Sequence, residues 1–147
     1  MAAVITFAKR LAALAVVAGM SVQAFAQSVS CPGGGSPLIA ADITTLLSGK
    51  TVCATSGGDR WQEYHQAGGV LIDYKKGPSD PVDPTKTVGS WSASGSAITY
   101  NYTDGGSSSY SFAVCATSNT STSGTFVPLT SGSNIPFTLM AGQSACP

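Results

Sequence analysis

Between residues 47 and 115 polar and apolar side chains alternate in short bursts separated by glycine-rich breaks. The clearest burst is Ile98-Thr-Tyr-Asn-Tyr102, which puts Ile98, Tyr100 and Tyr102 on one face and Thr99 and Asn101 on the other. A half-buried antiparallel strand requires this period of two, because successive side chains point to opposite sides of the sheet. The pattern predicts strands over residues 50–55, 60–66, 70–75, 87–93, 97–103 and 109–117, with two more at 125–129 and 136–140. Gly57-Gly58, Gly68-Gly69, Ser94-Gly-Ser96 and Asp104-Gly-Gly106 supply the turns between them. No strand crosses residues 77–85, where Pro78, Pro81 and Pro84 would each remove a ladder donor.

Ahead of the strands the period changes. Ile39, Ile43, Leu46 and Leu47 stand at i, i+4, i+7 and i+8, which places them on one helical face. Pro37 suits a first helical turn, Asp42 an N-terminal position and Gly49 the stop. These elements together predict a mainly β fold. It is an antiparallel meander of six to eight strands curled into a small barrel, with one short N-terminal helix on an end of the sheet.

Length adds that 147 residues make one domain. Lys9 and Arg10, an apolar run over 11–19 and Ala24-Phe-Ala26 read as the three parts of a signal peptide spanning 1–26. The apolar run is too short to span a bilayer. Residues 27–36, with Cys31-Pro-Gly-Gly-Gly-Ser36, form a flexible lead-in, and 37–147 a single disulfide-stapled β domain. The mature chain is expected in the periplasm or outside the cell, as a monomer with no membrane attachment after cleavage. Its five basic side chains stand against seven acidic ones. Without a basic excess there is no electrostatic footprint for nucleic acid.

All four cysteines follow the cleavage site, and an even number in an exported chain reads as two disulfides. Val52-Cys-Ala-Thr-Ser56 recurs as Val114-Cys-Ala-Thr-Ser118. If the first and sixth strands become neighbours when the sheet closes, two cysteines at like positions bridge the seam. This favours Cys53–Cys115 with Cys31–Cys146, though four cysteines permit three pairings and the sequential one stays open.

Thr45-Leu-Leu-Ser-Gly-Lys-Thr-Val52, the Gly68-Gly69 turn into an apolar strand, and Gly89-Ser-Trp91 followed by a glycine turn resemble small secreted proteobacterial proteins of a calycin-like, lipocalin- or avidin-shaped kind. In lipocalins the G-x-W motif lies on the first strand; here it falls on the fourth. The resemblance therefore implies barrel-like shape, an envelope or extracellular location and ligand binding, with no transferable active site.

Arg60-Trp-Gln-Glu-Tyr-His65 is the densest polar and aromatic cluster. On a strand it puts Trp61, Glu63 and His65 on one face and Arg60, Gln62 and Tyr64 on the other. His65 is the one histidine of the chain, and no G-x-S-x-G nucleophile turn accompanies it. Glu63, His65 and Asp73 are the candidates for hydrolysis or metal ligation, and Asp59, Glu63 and Asp73 for a glycosidase-like carboxylate pair. Asp80 and Asp83, each shortly before a proline, read as turn initiators rather than calcium ligands. Ser48-Gly-Lys-Thr51 ends like a phosphate-binding loop, but Thr44 stands where the leading glycine belongs. Tyr100, Tyr102, Tyr110 and Phe112 are expected in the core, whereas Trp61, Tyr64, Tyr74 and Trp91 flank turns and suit a ligand site.

No catalytic set assembles and no cofactor is implied. The first expectation is an exported, non-enzymatic binding module for a small molecule, glycan or protein. A surface interaction, assembly or inhibitor protein acting through sheet edges is the alternative, and a small hydrolase using Glu63, His65 and Asp73 a second one.

Overall fold

The computed structural model describes residues 29–73 and 85–147. The leader at 1–26, Tyr74, Asp80, Asp83 and the side chain of Asp59 lie outside that description. Helix α1 (Ala40–Leu47) precedes β1 (Lys50–Ser56), β2 (Asp59–His65), β3 (Val70–Asp73), β4 (Lys86–Ser94), β5 (Ala97–Tyr102), β6 (Ser108–Cys115), β7 (Ser123–Pro128) and β8 (Ile135–Ala141). Each strand pairs antiparallel with the next, and β8 returns to β1, closing an eight-stranded barrel. The expected fold class holds, at the upper end of the expected strand number. Closure also leaves no unpaired barrel edge among the described residues.

Alternation builds the interior. Val52 and Ala54 of β1 face Glu63 and Trp61 of β2, and Ile98 and Tyr100 of β5 face Ala93 and Trp91 of β4. Aromatic rings fill the middle: Phe126 stacks on Phe137 at 4.3 Å, and Tyr100 meets Phe112 and Phe126 edge-on at 6.1 and 6.0 Å. Such offset and edge-to-face pairs add about 0.5–1.5 kcal/mol each beyond the area they bury.

Gly89 interrupts the alternation of β4. A Cβ there would stand 2.1 Å from the carbonyl oxygen of Asn101, so only glycine permits this approach of β4 to β5. Register with β3 shifts at the same place, from Leu71 opposite Gly89 to Ile72 opposite Thr87. The extra residue is Val88, which the bulge turns into the barrel, where it is buried.

Helix α1 seals one end. Ile43, Leu46 and Leu47 are fully buried against the barrel core. The expected fourth member, Ile39, is instead the N-cap and 58 % exposed. Its neighbours explain the exchange. The Leu38 N–H donates to the Val114 carbonyl and the Ala40 N–H to the Gly95 carbonyl, both at 2.8 Å. The incoming chain is thus tied to the rim in extended form, which turns Leu38 toward the core and Ile39 away. Pro37 accordingly precedes the helix rather than opening it.

The disulfides are Cys31–Cys115 and Cys53–Cys146, not the expected Cys53–Cys115 and Cys31–Cys146. The seam explains the difference. β1 closes on β8, so β6 lies three strand spacings away, about 14 Å round the wall. A disulfide tolerates a Cα separation of only about 4.4–6.8 Å. The chain leaving β8 folds back over the outside of β1: the Gly142 N–H donates to the Gly49 carbonyl, Thr51 Oγ1 to the Gly142 carbonyl and the Ser144 N–H to Thr51 Oγ1. This path sets Cys146 on Cys53 and brings its N–H to Gln62 Oε1. Thr51 and Gln62, outward-facing polar residues, are buried because the tail covers them. Both cysteine pairs are oxidised, which fits a protein outside the reducing cytoplasm. Among the described residues no helix is long and apolar enough to cross a membrane.

Replacing Cys31 and Cys115 together with serine, or Cys53 and Cys146 together, should cost about 2–5 kcal/mol of unfolding free energy in urea titrations. Peptide mapping without reduction should recover Cys31 linked to Cys115. A Cys53–Cys115 peptide would refute the β1–β8 seam.

Candidate functional site

Among the described residues no element plugs the end opposite α1. Turns there join β1 to β2, β5 to β6 and β7 to β8, and between them lies a cavity of about 480 Å³. Trp61 and Glu63 of β2, Asp73 of β3, Val88 of β4, Tyr102 of β5 and Tyr110 of β6 line it, with Asp104 from the β5–β6 connection, Ser108 at the start of β6 and parts of Arg60 and Gln62 beside Trp61. Five consecutive strands supply these side chains, so barrel geometry rather than loop conformation sets their positions.

Glu63 is its polar centre. The Tyr102 hydroxyl donates to Glu63 Oε2 at 3.0 Å, and Asp73 stands opposite Glu63 in the β2–β3 register. Burial pushes the Glu63 carboxyl up from 4.5 to about 7, with the Tyr102 bond holding it lower and the Asp73 charge pushing it higher. The same burial, together with the neighbouring carboxylate, drives the Tyr102 hydroxyl far above its ordinary value, so it stays a donor.

His65 shares the Glu63 face, as alternation predicts, but sits one step deeper and is wholly buried. Its Nδ1 lies 3.1 Å from the Glu63 carbonyl oxygen and its Nε2 2.9 Å from the Tyr100 hydroxyl. A carbonyl can only accept, so Nδ1 carries the proton and bare Nε2 accepts from Tyr100. Burial lowers the His65 pKa from 6.5 to about 4, against the carbonyl bond that favours the charged ring. The ring also packs against Trp91 at 5.3 Å and Tyr100 at 5.5 Å. His65 is the neutral, satisfied floor beneath the pocket, with no ring nitrogen left to meet a ligand.

The expected ligand aromatics separate. Trp61 lines the pocket, its ring edge-on to Phe112 at 6.4 Å. Trp91 is core, 6 % exposed, with its indole N–H donating to the Gln66 carbonyl at 3.2 Å. Tyr64 lies on the outer face, opposite Thr51 and Ile72. Tyr100 and Phe112 are core as expected, but Tyr102 and Tyr110 are pocket walls, Tyr110 being 53 % exposed. Sequence offered one pointer to them: both precede or follow the Asp104-Gly-Gly106 turn closely, and a side chain near a turn stands near a barrel end.

Charges at the rim are tied in pairs. Lys86 Nζ stands 2.6 Å from Asp104 Oδ2, and Arg60 Nη2 donates to a Pro147 oxygen at 2.7 Å. Among the described residues no three His, Cys, Asp or Glu side chains converge as metal ligands. No protein-family model, curated protein or solved structure matches the chain.

The two buried titrating groups pull stability in opposite directions. From about pH 4.5 to 7 folded Glu63 holds its proton more tightly than the unfolded chain does, so its contribution is lost as pH rises. His65 contributes above about pH 6.5 and loses that contribution as pH falls toward about 4, since the unfolded chain charges first. Glu63→Gln removes only the first effect. The difference in urea stability between wild type and Glu63→Gln should therefore change by up to about 1.4 kcal/mol per pH unit between those limits, wild type losing ground as pH rises. Parallel profiles would show that Glu63 titrates as an ordinary exposed carboxyl.

Proposed function

We propose that this chain is an exported, non-enzymatic binding module that holds a small molecule in the open end of its barrel. One observation carries the reading: a cavity of about 480 Å³ in which Trp61, Tyr102 and Tyr110 stand around the Glu63 carboxyl, which accepts from the Tyr102 hydroxyl. Apolar walls with few convergent polar groups, in the range of about 300–1,000 Å³, suit small-molecule recognition. Export rests on the leader features at 1–26 and on two disulfides that a reducing compartment would open. The calycin-like resemblance points the same way, toward a barrel with its ligand at one mouth.

The rival readings draw less support. Assembly by strand addition needs an unpaired edge, and β1 and β8 occupy each other's. Hydrolysis by Glu63, His65 and Asp73 needs a histidine that can exchange protons with a substrate, whereas both ring nitrogens of His65 are engaged below the cavity.

A fluorescence screen of small molecules and oligosaccharides against the mature protein tests the proposal. Hits should change wild-type emission, and Trp61→Phe should remove most of that change. Trp91→Phe should keep the affinity within about twofold while lowering unfolding free energy by about 1–3 kcal/mol. A screen with no hit, or hits whose signal survives without Trp61, would overturn the pocket as the binding site.

A further inference from the structure

We infer that the pocket selects an organic cation, an amine or a quaternary ammonium, seated between the Glu63 carboxylate and the rings of Tyr102 and Tyr110. The inference deepens the binding reading above and rests on it. Its ground is the combination of wall geometry and charge.

Tyr102 and Tyr110 meet at 67° with their centroids 6.0 Å apart, so they form two walls of a corner. Tyr100 stacks behind Tyr102 at 6.2 Å and 25°, backing one side of that ring. Two rings at a steep angle with a carboxylate alongside suit a cation, which is drawn to the negative ring faces and neutralises the acid. An anion would meet Glu63 with Asp73 facing it. Among the described residues, the positive charges near the rim are engaged, Arg60 with the Pro147 oxygen and Lys86 with Asp104.

Glu63 gives the capture a pH dependence. Among the described residues the groups that bear on it are Asp73 from β3, with Lys86 of β4 opposite Asp73, Tyr100 and Tyr102 from β5 and, through Tyr102, Tyr110 from β6; its β1 neighbour is Val52. Because the empty pocket holds the Glu63 proton up to about pH 7, a cation must displace that proton to bind. Binding therefore strengthens as pH rises and releases a proton near neutrality.

Titration calorimetry of the intact mature protein tests this with four probes of similar size: phenylethylammonium, phenyltrimethylammonium, neutral phenylethanol and anionic phenylacetate. At about pH 8.5 each cation should bind at least about tenfold tighter than phenylethanol, and phenylacetate weakest of all. At about pH 5.5 cation affinity should fall about tenfold or more while phenylethanol is unmoved. Glu63→Gln should bring the cation-to-neutral ratio to about one and abolish proton release. Tyr110→Leu, at a half-exposed position where folding is safe, should lower cation affinity several-fold. Phenylethanol or phenylacetate matching the cations would overturn the cation assignment and leave the pocket standing as a binding site. Cations that bind Glu63→Gln as well as wild type would also overturn it. So would two cations silent at about 10 mM while neutral hits still report through Trp61.

Discussion

The ladder between β1 and β8, running from Lys50 opposite Ala141 to Ala54 opposite Phe137, turns a meander into a barrel. An open sheet of these strands would expose two edges and leave its apolar face half covered. Once β8 pairs with β1, every strand has two neighbours and each inward side chain faces a common axis. The same ladder delivers the tail onto the outside of β1, where Cys146 meets Cys53 and Gln62 loses its contact with water.

Closure creates two unlike ends. At one, Ile43, Leu46 and Leu47 of α1 plug the barrel and complete the apolar core. At the other no described residue does the same, and the inward positions become progressively polar: Tyr100 and His65 at the floor, then Tyr102 and Glu63, then Tyr110, Asp104 and Ser108 at the rim. A carboxyl placed part-way down such a shaft loses solvent, which is why Glu63 keeps its proton toward neutrality. His65, one step further in, finds two partners and stays neutral. The two residues share a face and a strand, yet their depth along the axis gives one a site and the other a structural task.

The proposed binding role draws on the rigidity of this arrangement. The pocket sets the Glu63 carboxyl beside a tyrosine that donates to it and rings that present faces and edges, all on strands that cannot shift without breaking ladders. Such rigidity lowers the ordering cost of binding. The neighbouring histidine is held by both nitrogens and meets the pocket only as packing.

Which side chains share a face of a strand was legible residue by residue, though not which face turns inward, so Tyr64 of the outer face read as a ligand aromatic beside Trp61. The alternation of Ile98, Tyr100 and Tyr102, and of Trp61, Glu63 and His65, states the sheet face directly, because pleating forces it locally. Strand limits and turns followed from glycine and proline for the same local reason. Two other questions were not legible. Period-two patterning carries no information about height along the barrel axis, so Tyr102 and Tyr110 read as core and Trp91 as a ligand aromatic. Nor does it say which strands close the seam, so the echo around Cys53 and Cys115 pointed to a pairing that the β1–β8 ladder forbids. The sequence by itself determined a disulfide-bonded antiparallel β protein with one capping helix and the grouping of side chains into two faces on its clearest strands. Only the tertiary structure decided the seam, the cysteine partners and the depth that separates pocket from core, because these depend on how eight ribbons wrap and stagger round one axis, a condition no short stretch of chain contains.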